Sequence, residues 1–412
     1  MKSPLTTSLR KQTPINKKAI PYMTVNKSNF TYMKICFLTP EYPHPKTGNS
    51  GGIGTSILNL SKGLDVAGHQ ISIVVYGQDQ DEVFKQDAIT FYKVKNIKFK
   101  GLSLYLTQKK VEKLLNKLVD ESKIELVEAP DWTGFTAFVQ PKCPLIIRQN
   151  GSDTYFCHLD NRPVKWINKF LEKRALNICT GIISVSEFTG KLTKELFGLK
   201  SSFTVIPNAI DVTQFEAIPC TSNTQTILYF GTLIRKKGLL ELPFIFNEVL
   251  KINPNAKLIL VGKDASDIAT KSASTWQLMK PLFDENAIKN VSYLGSVPYS
   301  EIKKIIQEAT LCVFPTFAEA LPVSWLEAMA VEKPIVASNI GWAKEVIDDG
   351  TNGFLVHPKN HKKFAQKIST LLNDKEMQSC FGKEARVKVI SKFSIAIVAE
   401  KSVAFYKNYL QK

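Results

Sequence analysis

Short apolar runs recur along this chain, each ended by Gly, Pro or Asn and separated from the next by a stretch of helical periodicity, and the series starts over near the middle. That alternation is the pattern of parallel strands joined by crossover helices. Lys34 to Pro40 (KICFLTP) opens the first series, Gly51-Gly52-Ile53-Gly54 leads into a helix ending near Ala67, and Gly68-His69 turns the chain into ISIVVYG. After a lysine-rich middle come IELVEA, PLIIRQN, TGIISVS and FTVIPN. Beyond the polar stretch from Pro219 to Thr226 the second series reads TILYFG, KLILVG, NVSYLG, TLCVFP and PIVAS.

The expectation is an α/β chain of two Rossmann-like, doubly wound parallel-sheet domains, at 33–208 and 209–393, with a linker near 208–224. The last stretch, 394–412, reads as a lone helix returning to the first domain. A length of 412 residues suits two such domains, each with its own core. In doubly wound sheets ligands sit beyond the carboxyl ends of the strands, so the natural site is the cleft between the domains.

Composition excludes several classes. Hydrophobic residues are 44% and charged residues 22%, with no apolar run approaching the ~20 residues of a membrane-spanning helix. Residues 1–32 carry Lys2, Arg10, Lys11, Lys17, Lys18 and Lys27 with no acid, no apolar h-region and no cleavage site. They read as a disordered basic tail, and whether they belong to the native protein is left open. Seven cysteines, odd in number and scattered, show no metal-ligand spacing, which favours a reducing cytosol and no structural metal. Taking the six tail cations from the net charge of +17 leaves +11 for the folded part. That suits a polyanion or an anionic membrane, and equally a lysine-rich solvated exterior. No nucleic-acid module is present, and nucleic-acid binding is not expected.

Three elements carry chemistry. Gly51-Gly52-Ile53-Gly54 precedes a helix, where glycines let backbone amides approach an anion and the helix N-terminus adds partial positive charge. It is neither a dinucleotide fingerprint nor a Walker loop, and a flexible turn is an equal reading. TFAEALPVSWLEAMA follows the buried run TLCVFP; Pro322 suits a first helical turn, so Glu319 lies just before the helix and Glu327 inside it. Both acids, with the amides of Ala320 and Leu321, then crowd one helix N-terminus, able to accept from sugar hydroxyls and donate to a phosphate. The bland reading, a solvated loop acid and an ordinary helix residue, is equally open. The third element is Gly231 to Gly238 (GTLIRKKG), where Arg235, Lys236 and Lys237 fit the task of stabilising a departing diphosphate. A basic turn without a role is its alternative.

Residues 33–412 resemble the retaining glycosyltransferases of the GT-B fold, the glycosyl transferases group 1 family. The resemblance rests on GGIGT, GHQI, SVSEFT, VIPNAIDVTQF, GTLIRKKGL, LVG, YLGSV, the glutamates spaced as E-x7-E, and SNIGWAKEVIDDGTNGFLV, in that order. It implies that Glu327 binds the ribose of a nucleotide-sugar donor and that Glu319 faces the donor sugar. Lys237 would hold the diphosphate, assisted by the amides of Gly52, Ile53 and Gly54; Pro322 and Gly262 would line the donor site. It further implies retention by same-face attack, the leaving phosphate oxygen taking the acceptor proton, with no metal and no cofactor. The weak Asp79-Gln80-Asp81 pattern gives no reason to invoke a metal.

Two positions depart from the family pattern. Thr232 replaces a frequent arginine, so Arg235 or Lys236 is expected to supply the second cation. Asn150 replaces a histidine that usually holds the donor sugar; it donates a hydrogen bond but carries no charge, and Asp153 or Glu128 are candidates to compensate, against a structural role for each. The base is read near Gly262 and Gly295 to Pro298, with UDP the commoner prior. The acceptor, a glycan, lipid-linked or small molecule, is expected on the first domain, which carries basic, aromatic-flecked stretches at Lys93 to Lys123 and Arg162 to Arg174. In the second, Val164, Ile167, Phe170 and Leu171 recur at helical spacing beside Lys165, Lys169, Lys173 and Arg174. That pattern suits an anionic membrane surface on the cytoplasmic side; a helix packed on its own sheet looks the same and is the preferred reading. Rival functions on this fold are a sugar-nucleotide epimerase, which would change its donor without an acceptor, and a non-catalytic partner subunit, which Asn150 and Thr232 keep open.

Overall fold

The computed structural model describes residues 32–48, 50–217 and 225–410. The expected basic tail up to residue 31, the centre of the expected linker with Cys220, and residues 411–412 lie outside the described residues.

In chain order the first lobe consists of β1 (Lys34–Thr39), α1 (Gly52–Val66), β2 (Gln70–Gln78), β3 (Glu82–Gln86), β4 (Ile89–Lys95), α2 (Ser103–Asp120), β5 (Leu126–Pro130), β6 (Leu145–Gln149), α3 (Asp153–Leu159), α4 (Trp166–Ile178), β7 (Gly181–Ser184), α5 (Glu187–Phe197) and β8 (Thr204–Val205). The second lobe follows as β9 (Thr226–Phe230), α6 (Leu242–Ile252), β10 (Lys257–Val261), α7 (Thr275–Met279), α8 (Glu285–Ile288), β11 (Val291–Tyr293), α9 (Tyr299–Glu308), β12 (Leu311–Phe314), α10 (Val323–Ala330), β13 (Ile335–Ser338), α11 (Ala343–Val346), β14 (Phe354–Val356), α12 (His361–Asn373) and α13 (Lys375–Lys392); α14 (Ile395–Leu410) closes the chain.

The sheets run β3-β4-β2-β1-β5-β6-β7-β8 and β11-β10-β9-β12-β13-β14. Strands β1, β5, β6, β7, β9, β12 and β13 are buried along almost their whole length, which is why they read as continuous apolar runs, as strands covered on both faces do. Neighbours in both sheets pair parallel except β3, which runs antiparallel to β4. That hairpin corrects the expectation of a wholly parallel first sheet. Its apolar residues, such as Val83 and Phe84 on β3 and Phe91, Tyr92 and Val94 on β4, are interrupted by Lys, Gln and Thr, so no continuous apolar run announced it. Asp79 and Asp81 serve there in ion pairs with Lys93 and Lys110.

In each sheet the strand order reverses beside one strand, β1 between β2 and β5, and β9 between β10 and β12. The loops leaving the carboxyl ends there open the crevice that doubly wound folds use for ligands. The chain crosses between lobes twice, and the crossings lie side by side: Ile210 N–H donates to Phe393 O at 2.8 Å, and Ile395 N–H to Ile210 O at 3.1 Å. Beyond the second crossing α14 packs on α1, so closely that a Cβ on Gly63 would stand 2.6 Å from the Ile395 carbonyl oxygen. Its Tyr406 hydroxyl donates to Glu128, which also binds Arg148 Nε at 2.7 Å, and all three side chains are buried.

The preferred reading of 162–174 is corrected in part. α4 buries Leu171, Ala175 and Leu176 against the first sheet, but Trp166, Ile167 and Phe170 remain exposed. Among the described residues no helix is long and apolar enough to cross a membrane.

Candidate active site

Three loops meet where the sheets reverse, and glycines set their closeness. Gly262, after β10, has a φ of +141°, and a Cβ there would lie 2.0 Å from the Gly231 carbonyl oxygen. Gly238 has a φ of +74°, and its Cβ would lie 1.8 Å from the Pro315 carbonyl oxygen. Backbone in the left-handed region pressed against backbone admits only glycine, so the ends of β9, β10 and β12 close on one another.

Between Gly231 and Gly238 the cations form one turn of 3-10 helix, Arg235–Lys237. At three residues per turn, consecutive side chains point about 120° apart, and the three cations diverge accordingly. Arg235 forms a two-pronged ion pair with Asp267 at 2.7 and 2.8 Å, which holds the Asp267 carboxyl well below the usual carboxylate range. Lys236 crosses to the first lobe, its Nζ 3.6 Å from the centroid of the Phe156 ring, and burial lowers its pKa. Lys237 turns to the β12 loop, where its Nζ stands 2.9 Å from Glu319 Oε1, and Lys236 also lies within the field of Glu319 and Lys237. Of the two residues expected to supply a second cation, Arg235 is engaged by Asp267, whereas Lys236 rests on the Phe156 ring with its charge beside Glu319.

The β12 loop carries Glu319, Ala320, Leu321 and Pro322 into α10 with its backbone fixed from both lobes. Phe317 and Ala318 N–H donate to the Lys236 carbonyl. From the first lobe, Tyr155 Oη donates to Glu319 O at 2.7 Å, Ser186 Oγ and Thr189 Oγ1 to Ala320 O at 3.0 and 3.1 Å, and Asn208 Nδ2 to Leu321 O at 2.9 Å. Glu345 on α11 returns the tie, accepting the first amides of α5, Glu187 and Phe188 N–H, at 2.8 and 3.0 Å; a carboxylate suits a helix N-terminus.

Glu327 lies buried in α10, and Tyr299 Oη donates to its Oε1 at 2.7 Å. Burial pushes its carboxyl up to about 7, opposed by the Tyr299 bond and by the charge of Lys237. Lys237, Glu319 and Glu327 therefore share one electrostatic site.

The glycine-rich loop is partly occupied by the chain itself. Glu41 Oε1 accepts the Gly54 N–H at 3.0 Å at the start of α1, beside Gly52 and Ile53. Asn150 follows β6 and bonds Asp131 Oδ1 through its backbone N–H at 3.0 Å; its own Oδ1 is buried without a partner among the described residues. Asp131, wholly buried and also without a partner at Oδ2, is pushed up to about 8 by desolvation and by nearby Glu172. The neighbouring Gly151 packs against Phe156 and Tyr155 of α3, and the Tyr155 hydroxyl reaches the Glu319 carbonyl, but Asn150 itself makes no hydrogen bond to Glu319. Glu128 is spent on Arg148 and Tyr406, and Asp153 on Asn168 and Arg162; both have structural roles.

Sequence reasoning missed Tyr299, Asp131, Tyr155 and Glu41. Ser186, Thr189 and Asn208 stand inside SVSEFT and VIPNAID, so their signal was present without its role. Tyr299 directly follows the Gly295 to Pro298 segment assigned to base selection.

Two doubly wound lobes with an acidic and lysine-bearing loop cluster between them form the GT-B architecture of sugar-transferring enzymes. The family model for Glycosyltransferase Family 4 matches residues 50–214, and that for Glycosyl transferases group 1 matches residues 213–388. The chain belongs to the glycosyl transferases group 1 family and is a glycosyltransferase. It is 25% identical over 400 residues to an uncharacterized glycosyltransferase of Methanocaldococcus jannaschii, covering 91% of this chain and 98% of the other. It is 27% identical over 265 residues to the capsular polysaccharide biosynthesis glycosyltransferase CapM of Staphylococcus aureus, covering 59% and 65%. Among solved structures, Anabaena Alr3699/HepE in complex with UDP and glucose superposes with a TM-score of 0.71 at 18% identity, covering 91% of this chain and all of the other.

Proposed function

We propose that this chain moves a hexose-type sugar from a nucleotide diphosphate sugar, of the UDP series, to a glycan, lipid-linked or small-molecule hydroxyl with retention of configuration, in surface polysaccharide or glycolipid synthesis on the cytoplasmic side. The observation that carries the proposal is the Lys237–Glu319 ion pair at the meeting point of the β9 and β12 loops, with buried Glu327 within reach of the same charge. CapM, named for capsular polysaccharide, and HepE, with UDP and glucose, support the substrate class by similarity.

In the proposed reaction the anomeric carbon–phosphate oxygen bond breaks while the acceptor oxygen bonds the same face of that carbon. The acceptor proton passes to the departing phosphate oxygen. Lys237 stabilises the charge growing on that phosphate, and Glu319, released from Lys237 as the diphosphate takes its place, faces the positive charge growing on the sugar. Glu327 accepts hydrogen bonds from the ribose. The lysine meets the diphosphate charge directly, so neither metal nor cofactor is assigned a step.

A thermal-shift panel of UDP-, GDP-, ADP- and dTDP-sugars on the intact chain and on Glu327→Ala tests this, since a ligand of the folded state raises its melting temperature. One nucleotide series should stabilise the wild type and not the variant. No shift with any donor would refute the proposal; a sugar isomerised without acceptor would make the chain an epimerase instead.

A further inference from the structure

We infer that the first lobe docks on an anionic lipid bilayer through a surface built from the segment entering α2 and the first half of α4. Seven of the sixteen exposed large hydrophobic side chains among the described residues fall in these two short stretches. Phe99, Leu102, Leu104 and Tyr105 belong to the first, and Trp166, 78% exposed, with Ile167 and Phe170 to the second.

The two stretches form one surface. The Tyr105 ring meets Phe138 edge-on at 5.4 Å, and the Arg174 guanidinium lies 4.7 Å over the same Phe138 ring. Trp166, Phe170 and Arg174 are successive i, i+4 neighbours and make one stripe of α4. Phe138 therefore joins that stripe to the first turn of α2. The opposite face of α4, with Leu171, Ala175 and Leu176, already packs on Ile147, Ile182 and Phe197, so the exposed stripe is not needed to hold the helix in place.

Charge selects the occupant. Lys98, Lys100, Lys165, Lys169 and Lys173 are all exposed around these side chains, and none pairs with an acid among the described residues. The nearby acids are mostly engaged, Asp81 by Lys110 and Glu112 by Lys109, while Asp153 and Asp160 share Arg162, so the five lysines outnumber the one acid charge left over. Aromatic rings with lysines at their rim are the composition that lodges in a headgroup layer while ammonium groups meet anionic lipid. A second copy of the chain on this face would set lysine against lysine, which disfavours self-association.

The test is sedimentation of the full chain, without donor, on vesicles of phosphatidylcholine alone and on vesicles of equal phosphatidylcholine and phosphatidylglycerol. Binding needs no catalysis, so its outcome is independent of the proposed transfer reaction. The wild type should bind the mixed vesicles, in a salt-sensitive way, and not the neutral ones. A lysine near an anionic surface contributes roughly a fivefold gain in partition, so the combined change Lys165→Glu, Lys169→Glu, Lys173→Glu should lower binding at least about a hundredfold. Trp166→Ser with Phe170→Ser should weaken binding while leaving the melting temperature unchanged, because both side chains are exposed. Phe244→Ser, an exposed ring of the second lobe, should bind like wild type. No binding to mixed vesicles at low salt, equal binding to neutral ones, or undiminished binding by the α4 variants would overturn the inference. Self-association abolished by the same variants would assign the surface to a second copy instead.

Discussion

Glu327→Gln isolates the titration of one buried carboxyl. Burial raises that carboxyl from 4.5 to about 7, and a raised acid favours its neutral form in the folded chain. Its contribution to stability is therefore full below about pH 4.5 and is lost as pH rises through about 7. At 1.36 kcal/mol per unit, the shift corresponds to about 3 kcal/mol. Glutamine keeps the shape and an oxygen for the Tyr299 hydroxyl but cannot ionise, so the variant should gain stability relative to wild type across that window and show no advantage at its acid end. Donor binding should move oppositely. Hydrogen bonds from ribose to a charged carboxylate exceed those to a neutral one by about 1 kcal/mol, so wild-type affinity for a nucleotide sugar should rise about five- to tenfold as Glu327 ionises, with its midpoint near 7. The variant should lack that rise. A nucleotide sugar is the right ligand because its diphosphate is esterified at both ends and loses no proton in this range. Denaturant melts from pH 4.5 to 8.5 and calorimetric titration from pH 5.5 to 8.5 read the two quantities. Identical pH profiles for wild type and variant, or affinity falling as pH rises, would refute the reasoning.

Other outcomes follow from the same geometry. Lys237→Met should lower kcat/KM by about a hundred- to a thousandfold, as losing one charge stabiliser of a transition state does; with Glu319→Gln added, the double variant should fall little further, because the pair acts as a unit, and additive losses would separate the two roles. Arg148→Met leaves Glu128 buried with only the Tyr406 hydroxyl and should cost about 3–5 kcal/mol; denaturant unfolding reads it, and adding Glu128→Leu should recover much of the loss. The adjacent crossings at Ile210 and Ser394 form a hinge strip, so saturating donor should contract the solution scattering profile, and superimposable profiles would exclude closure.

Local chemistry written in the chain itself determined the two α/β lobes, their near-parallel sheets and the position of the candidate loops. Runs such as TILYF and LCVF are apolar on both faces because both faces are covered, and Gly238 is glycine because Pro315 presses against it; such requirements leave their mark residue by residue. The β3–β4 hairpin carried no such mark, since Lys, Gln and Thr break its apolar residues into fragments too short to read as strands. Tertiary structure alone decided which charges meet. Arg235, Lys236 and Lys237 are equivalent as letters, yet one turn of 3-10 helix sends them to Asp267, Phe156 and Glu319. Glu128 read as a candidate sugar contact until α14, nearly three hundred residues on in sequence, placed Tyr406 against it. The exposed stripe of α4 is likewise invisible to periodicity, because the same spacing serves a helix whichever face the sheet covers. Partnership between distant side chains depends on where the folded backbone places them, and no local pattern records that.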